Sequence, residues 1–203
     1  MTIKSDVLVK VEAGKVLVKS PFNPDFPPKA RQLGGQWREP LWVFDARDEE
    51  RVRELCRAIY GTEGTGCDEL VTLRVTVTCD WEQRRDGLYL AGRQIARAFG
   101  RKSGAKLGAG VVVLSGGFSS GGSVNNWKTI CKAGTVFELR DVPRYAAEKA
   151  LEENREWTIE IIGGETVVDD EALKHERERL LARVSEIDLI LAGQQAVTSF
   201  AIN

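Results

Sequence analysis

Two short runs of β-branched residues stand near the start of the chain. Val7–Val11 and Lys15–Lys19 are rich in valine and stand on either side of the dipeptide Ala13-Gly14. Two such runs joined by a glycine turn predict a β-hairpin. The proline-rich segment Pro21–Pro28 ends this strand pattern, and a short helix is expected from about residue 27 to 33.

A further strand and a second helix are predicted after this short helix. Asn23 or Asp25 is placed to cap the short helix, and Gly34-Gly35 to end it. The apolar run Leu41–Phe44 is typical of a strand, with Asp45 and Asp48 as candidate caps for the second helix. The apolar residues of that helix recur at helical spacing before Gly61: Val52, Leu55, Cys56 and Ile59. Residues 1–61 therefore predict a compact ββαβα module.

The segment Gly61–Gly66, with three glycines in six residues, is predicted to be an unpacked linker. Residues 67–203 would then form a second, α+β domain. Alternating or apolar runs predict its strands: 70–78, 111–114, 135–139 and 157–162. Residues 89–99 are predicted to form an amphipathic helix. In such a helix the apolar side chains of Leu90, Ile95 and Phe99 lie opposite Arg93 and Arg97.

The last predicted element is a long helix over about residues 170–192, capped by Asp169 or Asp170 and ended by Gly193. Allowing Arg177 as one interruption, its apolar residues follow a heptad spacing: Leu173, Leu180, Val184, Ile187 and Leu191. Two interpretations stay open. The helix packs on the sheet of its own domain, or it is a dimer or partner contact.

Charge is distributed unevenly along the 203 residues. The net charge is −1, but residues 1–62 carry +2, residues 63–140 carry +4 and residues 141–203 carry −7. A nucleic-acid surface is therefore expected within the first 140 residues. The segment 1–6 contains a charge where a signal peptide needs an apolar core, and no apolar run reaches the roughly 18 residues of a membrane span. A cytoplasmic location without membrane contact is expected.

Few residues suit catalysis or metal binding. The four cysteines form no CxxC pair, and the single histidine, His175, stands among charged residues, so no metal site and no nucleophile with its base are expected. The glycine-rich segment 115–123 lacks the lysine and Ser/Thr of a phosphate-binding loop and predicts a flexible turn or mobile loop, with anion contact by its backbone amides as the alternative. Cys56 and Cys79 are expected to be buried free thiols. The sequence predicts a protein that is not an enzyme and needs no cofactor.

Basic and aromatic side chains alternate between residues 80 and 110. The candidate DNA-contacting cations of this region are Arg84, Arg85, Arg101, Lys102 and Lys106. The loop Arg101–Lys106 is the sharpest candidate, because its glycine lets the backbone approach a phosphate while the flanking cations neutralise it. A merely solvated basic loop is the alternative.

Two tryptophans mark the first module. Trp37 and Trp42 lie on either side of Pro40. Either both indoles fill the small core, or one lies at the surface and offers a base a stacking face. In the second case the nearby cations would join it in a nucleic-acid site: Lys29, Arg31 and Arg38.

Residues 15–60 resemble the HARP domain of annealing helicases and the HARP-like segments of phage and plasmid proteins. The matching motifs are Asn23-Pro-Asp-Phe26, Leu33-Gly-Gly-Gln-Trp37 and Trp42-Val-Phe44. The resemblance implies contact with DNA, notably at junctions of single and double strands. Since the chain has no motor motifs, it does not imply helicase activity.

The segments 88–105 and 116–127 are similar to small prophage and integrative-element proteins of unassigned role. Together these features favour a non-enzymatic DNA-binding accessory protein of a mobile element. The alternative hypothesis is a phage- or plasmid-encoded inhibitor of a host defence system, resembling an anti-CRISPR protein, that binds a host protein complex through its acidic C-terminal part.

Overall fold

The computed structural model describes residues 7–66, 68–153, 157–166 and 170–200. Within them the chain is an α+β protein with four antiparallel sheets and four α-helices, of which the last is the longest. The strands are β1 (Leu8–Glu12), β2 (Lys15–Lys19), β3 (Gln36–Arg38), β4 (Leu41–Asp45), β5 (Glu69–Val77), β6 (Trp81–Arg84), β7 (Leu88–Leu90), β8 (Arg93–Ala98), β9 (Ala105–Leu107), β10 (Val111–Ser115), β11 (Phe118–Gly122), β12 (Trp127–Cys131), β13 (Val136–Pro143) and β14 (Trp157–Thr166). The helices are α1 (Phe26–Gln32), α2 (Glu49–Tyr60), α3 (Arg144–Glu152) and α4 (Asp170–Phe200). No helix among the described residues has the length and apolar character needed to cross a bilayer.

The first module is a sheet of order β1-β2-β4-β3 covered by α1 and α2. The predicted hairpin, both helices and β4 are confirmed. Gly61 ends α2 in the left-handed conformation, as expected of a helix-terminating glycine. Its core buries Val16, Phe26 and Phe44 almost completely.

One strand of this module, β3, is not predicted. It pairs with β4 so that Trp37 stands directly opposite Trp42. The sequence Gln-Trp-Arg offers no run of apolar residues, because β3 is an edge strand whose three side chains are exposed. The module is therefore ββαββα rather than ββαβα.

Strand β5 is central in the largest sheet, whose order is β10-β13-β5-β14. Its side chains alternate between buried and half-buried, and Leu73 and Val75 are fully buried against Phe137 and Leu139. Helix α3 packs on this sheet through small residues: Ala146, Ala147 and Ala150. The predicted strands at 70–78, 111–114, 135–139 and 157–162 are confirmed with small changes of their ends.

The predicted helix over residues 89–99 is wrong. These residues form the hairpin β7–β8, which turns at Ala91-Gly92 with φ values of +49° and +75°. A Cβ on Gly92 would lie 2.2 Å from the carbonyl oxygen of Ile59, so the turn packs directly against the end of α2. Tertiary packing at this glycine overrides the helical spacing of Leu90, Ile95 and Phe99.

The glycine-rich segment 115–123 is also not the predicted mobile loop. Most of it is β11, which pairs with β12 from Phe118 to Gly122. The Phe118 ring lies 5.4 Å from that of Phe137 and ties the strand to the core. Gly122 is needed because its φ is +82° and a Cβ there would lie 2.2 Å from the carbonyl oxygen of Asn126.

The segment 61–66 is packed, contrary to the prediction of an unpacked linker. Thr62 is buried and donates a hydrogen bond of 2.6 Å to Asp68. The backbone N–H of Val9 donates to the carbonyl of Gly64 at 2.9 Å. A side chain on Gly64 would collide with β1, so these glycines permit close packing instead of conferring freedom.

Residues 1–167 and residues 168–203 form separate compact units. The second unit contains α4, which confirms the predicted long helix and extends it to Phe200. Leu180, Val184 and Ile187 of the predicted seam are between 43% and 53% exposed, and His175 is exposed. The capping residue Asp169 and the side chains of Leu173 and Leu191 lie outside the described part of the chain.

The cysteines differ in environment. Cys56 and Cys131 are buried, whereas Cys79 is exposed at the end of β5, contrary to the prediction that it is buried. Burial raises the pKa of Cys56 to about 12, so its thiolate is scarce at neutral pH.

We therefore expect a thiol reagent to modify Cys79 of the native protein long before Cys56 or Cys131. Peptide mass spectrometry after timed alkylation follows each site separately, and a sample unfolded in denaturant provides the fully reactive control. Modification of Cys56 as fast as Cys79 in the native protein would contradict this burial.

Candidate nucleic-acid interface

The structure divides the predicted cations of residues 84–106 between two edges of one small sheet. Arg84 ends β6 and pairs with Lys128 of β12, in the sheet of order β11-β12-β6. Arg85 comes next in a left-handed conformation, and its guanidinium donates to the carbonyl of Asn125 at 2.7 Å. Both arginines are exposed and lie on the β6 side of this sheet.

Arg101 and Lys102 lie on the other side, in the turn between β8 and β9. The Ser120 hydroxyl of β11 donates to the carbonyl of Arg101 at 3.0 Å and accepts from the N–H of Gly104 at the same distance. The two cationic side chains are exposed. Since β6 and β11 are the two outer strands of this sheet, the two groups of cations lie at its opposite edges.

Lys106 lies directly opposite Arg97 on the antiparallel pair β8–β9. Side chains at directly opposed positions share one face, and like charges placed so are unfavourable. Arg97 has a carboxylate partner, Asp86, at 3.3 Å. Within the described residues, Lys106 has none, so this face carries surplus positive charge.

Two phenylalanines flank the same arginine. The guanidinium carbon of Arg97 is 6.0 Å from the ring centroid of Phe22 and 5.8 Å from that of Phe99. The rings are 58% and 65% exposed. Phe22 belongs to the proline-rich loop before α1, whereas Phe99 follows β8. We call Phe22, Arg97, Phe99 and Lys106 the aromatic–cation cluster.

The side chain of Arg97 is partly shielded from solvent. Its Nε–H is buried and has no acceptor among the described residues. Tyr89, whose hydroxyl lies 3.4 Å from Asp86, has its pKa raised to about 12, chiefly by burial and then by the charge of Asp86. Asp86 therefore holds Arg97 in place while Tyr89 remains neutral.

The module contributes a second aromatic surface. Trp42 is 6% exposed and belongs to the core, whereas Trp37 is 52% exposed, with their ring centroids 5.6 Å apart. Arg31 covers the Trp42 ring at 5.7 Å. Lys29 and Arg38 are also exposed. Of the two predicted arrangements of the tryptophans, the structure therefore has the one in which one indole lies in the core and the other at the surface.

Sequence reasoning missed Phe22, Arg97 and Phe99 as a group. A helix would separate Arg97 from Phe99, whereas a strand places residues two apart on one face. The available signal was the dipeptide Ala91-Gly92, the same Ala-Gly that turns the first hairpin at Ala13-Gly14. The contact with Phe22 depends on tertiary structure, since the two residues are 75 positions apart in the chain.

A shallow cleft of about 190 Å³ adjoins the cluster. Its lining consists of Pro21, Phe22, Arg93, Gln94, Gly108 and Ala109. This volume is below the roughly 300–1,000 Å³ usual for small-molecule sites. Among the described residues, no group of three His, Cys, Asp or Glu side chains is arranged to hold a metal ion.

No protein-family model matches the chain, and neither a curated protein nor a solved structure matches it. The resemblance of residues 15–60 to HARP domains therefore stays a prediction, and the interface rests on its own geometry.

Proposed function

We propose that this chain is a non-enzymatic DNA-binding accessory protein of a mobile element, with the HARP-like module and the 84–106 region as its contact surfaces. Exposed cations without internal partners support the proposal most directly. In the described part of the chain, none of Arg84, Arg101, Lys102 and Lys106 forms an ion pair, whereas Lys128 and Lys132 on β12 and in the turn after it do. Cations left free for phosphate are the electrostatic requirement for DNA binding.

Fluorescence anisotropy with labelled single-stranded, duplex and forked DNA tests this function. We expect a dissociation constant tighter than about 10⁻⁴ M at physiological salt, the weak limit of non-specific association. The affinity should fall as a power of salt concentration. No measurable binding to any of the three DNAs would contradict the proposal.

We further propose that α4 joins two copies of the chain. The seam residues Leu180, Val184 and Ile187 are half-exposed on the single chain, and their spacing is that of a coiled coil. An antiparallel pair centred near Ala182 keeps the two Arg177 side chains apart and places Lys174 of one copy beside Asp188 of the other. Arg183, near that centre, already has Glu186 as its partner at 3.0 Å.

The variant Leu180→Glu/Ile187→Glu should therefore be a monomer, because it places four carboxylates in the seam of a dimer. Ala182→Glu/Leu189→Glu introduces the same charge on the opposite face, where Leu189 is 74% exposed, and should stay dimeric. Sedimentation velocity over a range of concentrations measures both. A monomeric wild-type chain, or equal behaviour of the two variants, would contradict the dimer.

The same exposed apolar face favours a second candidate function, inhibition of a host defence complex by protein binding. Large apolar side chains at a surface mark protein contacts. A monomeric wild-type chain that co-purifies with one host complex and loses it in Leu180→Glu/Ile187→Glu, but not in Ala182→Glu/Leu189→Glu, would favour the inhibitor over the dimeric DNA-binding protein.

A further inference from the structure

The aromatic–cation cluster presents two large apolar rings to solvent. More than half of Phe22 and of Phe99 is exposed, although each ring would be stabilised by burial. Neither belongs to the two hydrophobic cores of the first unit. Packing within the described part of the chain therefore leaves one side of each ring available to a ligand.

Both rings are carried on well-anchored backbone. Beside Phe22, the Asn23 side chain is 6% exposed, donates to the carbonyl of Gly92 at 3.0 Å and accepts from the N–H of Asp25 at 2.9 Å. The N–H of Phe99 donates to the Ser103 hydroxyl at 2.9 Å. A platform held in this way loses little conformational entropy when a ligand binds.

The geometry points to a stacking site for unpaired nucleobases, so that the ligand of the cluster is single-stranded nucleic acid. Phe22 and Phe99 each offer a ring face, while Lys106, which has no carboxylate partner among the described residues, neutralises a phosphate between the stacked bases. Base–aromatic stacking next to a positively charged groove is the usual mode of binding to single strands. This inference rests on the proposed function and specifies which form of DNA this surface selects.

A duplex does not satisfy this cluster. Its bases are stacked on one another and present only their edges in the grooves, so two phenyl faces near one guanidinium have nothing to stack on. A phosphate beside Lys106 would also supply the anionic partner that this lysine lacks among the described residues, whereas Arg97, directly opposite, already has Asp86 at 3.3 Å. Binding of phosphate accounts for the exposed cations, whereas the exposed rings are accounted for by stacking on bases.

The test compares a thymidine oligonucleotide with an abasic one of equal length, which has the same phosphates and no bases. We expect wild-type protein to bind the abasic strand at least tenfold more weakly. Phe22→Ala/Phe99→Ala should bind the thymidine strand more weakly by about 5- to 150-fold for each ring. It should also no longer distinguish the two strands, while its salt dependence and its affinity for duplex stay unchanged.

Leu114→Ala/Val124→Ala is the matched control, since it removes two apolar side chains that are 50% and 76% exposed elsewhere on the second half of the first unit. It should keep the wild-type preference for bases.

If wild type binds DNA in a salt-dependent way but binds both oligonucleotides equally, the stacking site is overturned and the proposed function stands. An equal loss of duplex binding in the phenylalanine variant would also overturn it, because the rings would then act only by supporting the basic surface around them. Absence of any DNA binding would remove the proposed function and this site together.

Discussion

The variant Arg101→Ala/Lys102→Ala/Lys106→Ala should bind duplex DNA about 100-fold more weakly than wild type at physiological salt. Each phosphate contact contributes about 0.9 to the slope of log affinity against log salt, so three lost contacts should lower its magnitude by about 2.7. The reason is counterion release: Arg101, Lys102 and Lys106 are exposed, and each phosphate they neutralise frees a condensed cation. Anisotropy titrations at four or more salt concentrations give both quantities.

A second triple variant separates local contacts from net charge. Arg47→Ala/Arg51→Ala/Arg57→Ala removes the same three charges from the first module, where each arginine has an acidic partner in the chain. Its affinity and salt slope should stay close to those of wild type. If both variants lose the same affinity, the effect is one of total charge and the turn between β8 and β9 is not the contact surface. An unchanged slope in the first variant would exclude that turn directly.

Elements with a strong local pattern could be predicted from the sequence. The first hairpin has a run of β-branched residues on both sides of Ala13-Gly14, and α2 combines helical spacing with Gly61 at its end. Strand β5 alternates from Val71 to Val77 because one sheet face packs on the core. In each case the local pattern and the tertiary contacts indicate the same element.

The other elements depend on partners distant in the chain. β11 is Phe-Ser-Ser-Gly-Gly, a sequence that favours no strand, and it is one because β12 pairs with it and Phe118 reaches the core. The hairpin β7–β8 was missed because its apolar residues also fit a helix. Only the contact of Gly92 with the end of α2 decides between the two.

The candidate site was predictable to a similar extent. The exposed cations Arg101, Lys102 and Lys106 follow from composition, since charged residues of a loop are rarely buried. The aromatic part of the site could not be predicted from the sequence, because Phe22 and Phe99 come from opposite halves of the first unit and meet only through Arg97. A site built from two segments that are distant in the chain has no recognisable sequence motif in either segment.

The variant Arg93→Met should lower the free energy of unfolding by about 3 kcal/mol, the cost of leaving buried acceptors without a charged donor. Arg93 begins β8 and is 7% exposed. Its guanidinium donates to the carbonyls of Arg140 at 2.6 Å, Asp141 at 3.2 Å and Ala109 at 3.2 Å. It thereby joins β8 to the loop before β10 and to the bulge of β13. Thermal unfolding should show a fall of about 6–12 °C for a chain of this size.

Arg140→Met is the matched control, because its side chain is 56% exposed and, among the described residues, its ion pair is the one of 3.6 Å with Glu138. That change should stay within about 0.5 kcal/mol. Arg93→Lys should recover only part of the loss, since one ammonium group cannot reach three carbonyls with the geometry of a guanidinium. If Arg93→Met unfolds at the wild-type temperature, or if Arg93→Lys is fully stable, these three hydrogen bonds do not hold the loop and the bulge to β8. The same measurement bears on the proposed DNA-binding surface, because β8 carries Arg97 and leads to the turn that contains Arg101 and Lys102.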